Sequence, residues 1–264
     1  MIDRERLEAI VREAGRIALA GWPGDGHALE SWEKTPGSPV CTADLEVDAY
    51  LKQELRALLP AAGWLSEETV DTRDRQQTEL VWLVDPIDGT RDFIRGRTGW
   101  AISVALVNTR RPLLGYLFAP VRRRDEGGEF WFGEAGKGAW RNGSRLVASN
   151  RDSLAGARVP AHKLAPEDDD LTLVDQPNSI ALRMAMVAAD EADLLATLRW
   201  GYEWDIAAAG LIAREAGAVV TDAFGQPLNY NKHDPRAFGV MVASTGIHEA
   251  AVERLADRAV RFSA

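Results

Sequence analysis

One cysteine in 264 residues, Cys41, excludes an internal disulfide and gives no reason to expect an oxidising compartment. Nothing around it supports an activated thiolate, so it reads as a small packed side chain. Apolar runs of membrane-spanning length are missing. The opening residues, Met1-Ile2-Asp3-Arg4-Glu5-Arg6, lack the apolar core of a secretory signal. A cytoplasmic location without membrane contact is expected. Positive charge is in deficit, with 31 Lys and Arg against 40 Asp and Glu and a net charge of −9, which argues against a nucleic-acid polymer as partner. Histidine is scarce, and His27, His162, His233 and His248 show no metal-ligand spacing. No Walker-type phosphate loop and no motif of Ser-His-Asp catalysis is present.

What is present is mostly ordinary for a globular chain, 46% hydrophobic and 27% charged, long enough for one large or two tightly joined domains. The informative stretch is Val84-Asp85-Pro86-Ile87-Asp88-Gly89-Thr90. The apolar block Leu80–Val84 before it predicts a buried strand, so the two acids sit where a strand ends. Pro86 fixes φ and removes a donor there. Gly89 admits unusual backbone angles, and Thr90 is expected to cap a short helix through Ile94. Acids beside the free N–H groups of a helix start suit a phosphate bridged to protein by hard cations. An acidic turn before a capped helix is the plainer reading of the stretch alone.

Further acids recur in a fixed order. Asp44 closes Lys34-Thr35-Pro36-Gly37-Ser38-Pro39-Val40-Cys41-Thr42-Ala43-Asp44, and Glu67-Glu68 follow Trp64-Leu65-Ser66. Glu203-Trp204-Asp205 open a small-residue helix that reaches Gly210. This order, from about Lys34 to Ser244, closely resembles the inositol monophosphatase superfamily of magnesium-dependent, typically lithium-sensitive phosphomonoesterases. The resemblance implies a layered α-β-α-β-α sandwich with the site between two halves.

The pattern of elements divides near residue 150. Residues 4–20 carry Leu7, Ile10, Val11, Ala14 and Ile17-Ala18 on one helical stripe, and Thr42 is expected to N-cap a second helix stopped by Pro60. Strand patterns over 80–84, 100–107, 113–118, 129–132 and 139–140 predict an α+β unit with an antiparallel sheet over 1–150. Arg122-Arg123-Arg124 reads as a solvated hairpin tip. Over 151–264, strands at 171–174, 193–198, 218–221 and 238–243 alternate with helices at 179–189, 204–216 and 247–260. That predicts an α/β unit with some parallel pairing, with a loop over 160–170. Most of the nine tryptophans are expected to pack in core or interface.

Clustering Glu67, Asp85, Asp88 and Asp205 is tenable only with cations, and an oxygen-only ligand set favours magnesium, or manganese as a substitute, over zinc. The resemblance implies that Glu67, Asp85 and the Ile87 carbonyl hold one metal. Asp85, Asp88 and Asp205 would hold a second, with room left for a third. It also implies that Asp44 orients Thr90 to help deprotonate the attacking water, and that the N–H groups of Gly89 and Thr90 hold phosphate oxygens. Glu68 stands behind Glu67, although one sequence leaves their order open, and Lys34 matches a position near the cluster.

For the substrate, Arg91-Asp92-Phe93-Ile94, Glu203-Trp204-Asp205 and Gln226-Pro227-Leu228-Asn229-Tyr230 resemble the 3'(2'),5'-bisphosphate nucleotidase branch. Leu198 stands where inositol monophosphatases usually carry a glutamate, which argues against inositol phosphate. Pro160-Ala161-His162-Lys163 and Ser179-Ile180-Ala181 depart from the nucleotidase pattern, although Arg183 keeps a basic residue. The expected substrate is therefore a small phosphorylated metabolite, with 3'-phosphoadenosine 5'-phosphate leading, contacted by Arg91, Lys163, Arg183 and Asp205. An inositol, histidinol or sugar phosphatase is the alternative, and an inactive regulatory or binding homologue is the alternative of another class. Relatives occur as monomers and as homodimers, and the sequence leaves that choice open.

Overall fold

The computed structural model describes residues 2–108 and 111–263. In the first half, α1 (Arg4–Ala20) is followed by a hairpin of β1 (Ser31–Thr35) and β2 (Ser38–Cys41), then α2 (Thr42–Leu58) and β3 (Gly63–Ser66). The chain continues through β4 (Leu80–Asp88), α3 (Thr90–Ile94), β5 (Ala101–Asn108), β6 (Arg111–Ala119), β7 (Glu129–Glu134), β8 (Gly138–Arg141) and β9 (Ser144–Arg145). The second half holds β10 (Arg158–Pro160), β11 (Thr172–Val174), α4 (Ile180–Ala188), β12 (Leu194–Tyr202) and α5 (Glu203–Glu215). It ends with β13 (Val219–Thr221), β14 (Arg236–Ala243) and α6 (His248–Ser263).

Five layers result, in the expected α-β-α-β-α order. Helices α1 and α2 cover one face of a seven-stranded sheet, β3-β4-β5-β6-β7-β8-β9, and α5 covers the other. Helices α4 and α5 separate that sheet from β12-β14-β13, which α6 closes from outside. Strand alternation sorts the core. Trp82, Val84, Ile102, Val104 and Tyr116 face α1 and α2. Val81, Leu83, Ala105 and Leu117 face α5, in one cluster that continues to Val240 and Val242 of the second sheet. With both faces covered, β4 and β5 read as continuous apolar runs rather than alternating ones.

Pairing departs from expectation in the first half and meets it narrowly in the second. The large sheet is antiparallel except for β3 against β4. In the second half only the short pair β10–β11 is parallel, and β12-β14-β13 is antiparallel throughout. Helix α4 returns the chain to the start of β12 but not to a parallel neighbour, a choice that strand–helix alternation alone does not encode. The β1–β2 hairpin, not foreseen from the sequence, hangs outside both sheets. The arginine turn is more tied than a solvated tip: Arg122 and Arg123 both reach Glu129, and Arg124 pairs with Asp25. Trp82, Trp100 and Trp131 are buried, whereas Trp32 and Trp200 are exposed. Among the described residues, no helix is long and apolar enough to cross a membrane.

Helix α5 sits unusually close to the large sheet because glycines lie under it. A Cβ on Gly115 of β6 would come within 2.6 Å of the Ala208 carbonyl oxygen, and one on Gly133 of β7 within 3.1 Å of Ile212 Cα. The helix answers with Ala207-Ala208-Ala209, which lets the backbones approach. Gly115→Ala is therefore expected to cost about 1–3 kcal/mol by overpacking, lowering the thermal midpoint by several degrees. A calorimetric scan checks this, and an unchanged midpoint would mean that α5 does not rest on β6.

Candidate active site

The site begins with an irregularity in β4. Asp85 pairs with Ser103 and Asp88 with Ala101, so three steps on β4 match two on β5. In a regular strand, residues three apart face opposite ways; the extra residue of this bulge turns both acids to one side. Pro86, with no N–H to offer the ladder, lies inside it. Asp85 then accepts the Ile87 N–H at 3.0 Å, which holds the bulge from within.

Glu67, leaving the end of β3, and Asp205, in the first turn of α5, meet Asp85 so that one carboxylate oxygen from each lies within 4.8 Å of the others. Asp205 also accepts the Tyr202 N–H at 3.0 Å, capping its own helix. Burial pushes the Asp85 and Asp205 carboxyls well above the ordinary range, and neighbouring carboxylates, Glu67 foremost, push them further. Three hard oxygen donors that repel one another in a partly buried site fit a divalent cation of the magnesium type. The donor set contains no nitrogen or sulfur.

Asp88 faces the same cluster but is held differently. Its carboxylate accepts the Ser179 hydroxyl at 2.5 Å and the Ala181 and Ile180 N–H groups at 2.7 and 3.3 Å, so it caps the start of α4. Burial still raises its pKa, against the pull of those bonds and of Arg183. The sequence joined Asp88 to the other acids but did not reveal this second attachment.

Asp44 is buried at the first turn of α2. Cys41, not Thr42, is the N-cap: its N–H and its thiol each reach Asp44 Oδ2 at 2.8 Å. Burial carries Asp44 up to about 7, opposed by the Cys41 bonds and reinforced by Glu68 and Glu67. Burial likewise raises the Cys41 thiol, in keeping with an inert cysteine. The N-cap of α3 is Gly89 at φ 97, and Thr90 is the first helical residue. A Cβ on Gly89 would lie 2.6 Å from the Gly99 carbonyl, so no other residue fits. The Thr90 hydroxyl lies 3.0 Å from the Ile87 carbonyl and 3.4 Å from Asp44 Oδ1. It has one proton to donate, and the shorter contact is the better bond.

Two side chains fix the glutamates. Lys34 on the β1–β2 hairpin reaches Glu67 at 3.0 Å and Glu68 at 2.6 Å. Burial lowers the Lys34 pKa, but the two carboxylates outweigh it and leave a net rise. Asp48, one turn beyond Asp44 on α2, accepts the hydroxyls of Ser66 and, at 2.7 Å, Thr69, bracketing the glutamates. The sequence reading missed Asp48, although its (i, i+4) spacing from Asp44 on one helix face was a usable signal.

The expected substrate residues are not all brought together. Arg91 donates to the Gly37 carbonyl across the hairpin turn. Lys163 lines a separate, largely apolar cavity with Leu164, Leu171 and Leu255. Lys163 thus lies outside the cavities that hold Asp205 and Arg183, whereas Arg91, next to Thr90, has its guanidinium engaged at the hairpin. Arg183 is buried rather than a surface charge, its guanidinium 3.3 and 3.4 Å from the Ser179 and Asn178 carbonyls, and burial lowers it to about 10. It lines a cavity of about 480 Å³ with Arg95, Arg97, His162 and Arg199. A smaller one, about 190 Å³, holds Arg199, Trp200, Tyr202 and Asp205. Arg95, Arg97 and Arg199 were not foreseen, since single arginines in separate segments leave no pattern.

The model of the inositol monophosphatase family matches residues 4–261. The chain is 32% identical over 243 residues to the 3'(2'),5'-bisphosphate nucleotidase CysQ of Salmonella typhimurium, spanning 87% of this chain and 94% of that one. It is 30% identical over 229 residues to a fructose-1,6-bisphosphatase/inositol-1-monophosphatase of Thermotoga maritima, spanning 83% and 84%. The solved structure of a Thermotoga maritima IMPase aligns at a TM-score of 0.82 and 25% identity, over 99% of this chain and 100% of that one.

Buried carboxyls with raised pKa values make stability depend on pH in a definite direction. Asp44 and Glu203 both lie at about 7 in the fold, each raised chiefly by burial. The folded state therefore keeps protons that the unfolded chain has released. Their contribution is complete below the ordinary carboxylate range and is lost as pH rises through about 7. In chelator, the thermal midpoint is expected to fall between about pH 6 and about pH 8, and magnesium should restore more at the higher pH. Midpoints in both media at both pH values check this; equal midpoints with and without cation would remove the metal reading.

Proposed function

This chain belongs to the inositol monophosphatase family and is a metal-dependent phosphatase; we propose that it uses magnesium to hydrolyse a bisphosphate nucleotide, with 3'-phosphoadenosine 5'-phosphate leading. The observation that carries the substrate is the cavity of about 480 Å³ lined by four arginines, next to the carboxylate cluster of a protein whose net charge is −9. Such local positive charge suits a second phosphate. The name of the Salmonella typhimurium relative supports the same reading. An inositol monophosphatase is the second reading, favoured by the name of the Thermotoga maritima relative. Leu198, which cannot accept a hydroxyl, lines the large cavity and weighs against it.

Membership of the family implies the following assignments, and the grouping of Glu67, Asp85 and Asp205 supports them. Glu67, Asp85 and the Ile87 carbonyl would hold one cation, and Asp85, Asp88 and Asp205 a second. When bound, the pair supplies Lewis-acid stabilisation of the charge developing on the phosphoryl oxygens. Asp44, once ionised, draws the Thr90 hydroxyl from the Ile87 carbonyl, which turns a Thr90 lone pair toward the attacking water. Thr90 then takes a hydrogen bond from that water and relays proton density toward Asp44. The N–H groups of Gly89 and Thr90 orient the phosphate at the start of α3. Residues 1–150 carry most of this chemistry; residues 151–264 add Asp205 and, with Asp92, Arg95 and Arg97 of the first half, line the substrate cavity.

A magnesium-supported phosphate-release screen tests the substrate. 3'-Phosphoadenosine 5'-phosphate should turn over with a higher kcat/KM than inositol, histidinol or sugar monophosphates. A preference for inositol monophosphate would overturn the assignment. Lithium is expected to inhibit.

Two variants separate the roles. Asp88→Asn should weaken binding of the second cation and lower turnover by orders of magnitude. It should also lower the thermal midpoint, because Asp88 caps α4. Thr90→Ala should leave magnesium binding near normal while slowing kcat by about 10²–10⁴-fold, the range for a lost proton-transfer partner. Single-turnover rates with calorimetric magnesium titration would distinguish them, and a Thr90→Ala enzyme as fast as wild type would break the Asp44–Thr90 relay.

A further inference from the structure

The large cavity and the small one share a single side chain. Arg199 lines both, one with Asp205 and the other with Arg95, Arg97 and Arg183. It stands on β12, which runs antiparallel to β14 with a break in register. Thr197 faces Val240 and Trp200 faces Phe238, so Leu198 and Arg199 together oppose only Gly239. A bulge of this kind re-aims the side chains it carries. Here it is locked by Gly239 at φ 68, where a Cβ would lie 2.3 Å from the Thr197 carbonyl oxygen and 2.6 Å from Ala223 Cβ. Only glycine can stand there, so the bulge is a fixed feature of the sheet.

Arg199 is exposed, and among the described residues no ion pair or side-chain hydrogen bond engages it. Arg95 across the cavity is also exposed and, among the same residues, without a carboxylate partner. The acid in the cavity, Asp92, is already committed. It accepts the Asn178 N–H at 3.1 Å and lies 3.8 Å from Arg97. Arg183, by contrast, is buried against two carbonyls and forms part of the wall. The cavity therefore carries uncompensated positive charge whose free members are Arg199 and Arg95. Arg199 is the one that also borders the cavity containing Asp205.

We propose that Arg199, set by the bulge opposite Gly239, is the specificity-determining residue that holds the second phosphate of the substrate, with Arg95 facing it across the cavity. The inference rests on the bisphosphate reading above and assigns that reading to a particular side chain. A fork of donors between the two cavities can grip one phosphate while the other phosphate lies at the carboxylates. The shared chemistry is a phosphate dianion, carried equally by a nucleotide or by a sugar.

The test compares substrates that differ only in that second group: 3'-phosphoadenosine 5'-phosphate against adenosine 3'-monophosphate, and fructose 1,6-bisphosphate against fructose 1-phosphate. Wild type should favour the bisphosphate of at least one pair, and the pair it favours identifies the source. Arg199→Ala should lower kcat/KM for that bisphosphate by about ten- to a hundredfold, mainly through KM, and lower it far less for the monophosphate. Arg199→Lys should recover part of the loss, and Arg199→Glu should deepen it. Thermal midpoints near wild type would show that the fold is intact. Equal losses on both members of the pair, or no loss, would overturn the role of Arg199 while leaving the bisphosphate reading standing. A wild-type enzyme indifferent to the second phosphate in both pairs would overturn the bisphosphate reading itself, and the inference with it.

Discussion

Holding Glu67, Asp85 and Asp205 within 4.8 Å of one another, two of them raised far above the ordinary carboxylate range, sets a cost that only protons or cations can offset. Much of the surrounding structure keeps that arrangement from relaxing. Left to itself, the cluster would separate by rotating side chains or by letting β4 slip past β5. Neither route is open. The bulge between Asp85 and Asp88 is buttressed by the Asp85 bond to the Ile87 N–H, and Asp88 is pinned to the start of α4. The glutamates are bracketed by Asp48 through Ser66 and Thr69, and held from outside by Lys34.

The third corner of the cluster comes from a different layer, so its position depends on how the layers stack. Asp205 opens α5, and α5 is seated on the large sheet through the gaps left by Gly115 and Gly133. Behind it, Glu203 accepts the Asn231 and Lys232 N–H groups, while Arg75 bonds Asn231 and the Lys232 carbonyl. This network ties the segment before β4 to the loop before β14. The helix is thus fixed at its start by polar contacts and along its length by close apolar packing.

The acids were legible in the sequence because their chemistry leaves a mark. Carboxylates that flank a proline and precede Gly-Thr, with further acids in a set order, are hard to explain by solubility. The helices were legible through their periodic apolar stripes, and the continuous apolar runs of β4 and β5 through burial on both faces. What was hidden depends on pairing. The bulges in β4 and β12 exist only relative to their partner strands. The antiparallel order of the second sheet is a property of where α4 delivers the chain. Gly89 displaced Thr90 as the cap of α3 because a positive φ was needed, and Cys41 displaced Thr42 because the turn began one residue earlier. Arg91 and Lys163 looked promising from their neighbours in sequence. One was taken by the Gly37 carbonyl, and the other faced a different cavity.

The bulge of β12 lies at an outer strand of the smaller sheet, four residues before the helix that presents Asp205 and on the far side of α4 from the bulge of β4. Residues 198–200 can therefore exchange side chains without disturbing the register of Asp85 and Asp88, which is written in another sheet. In evolutionary terms, with Arg199 as the reader of the second phosphate, part of the discrimination would sit in a place separately mutable from the reactive chemistry. A lineage could retune which phosphorylated compound it prefers through a few substitutions at the solvent edge, at little risk to the machinery that breaks the bond.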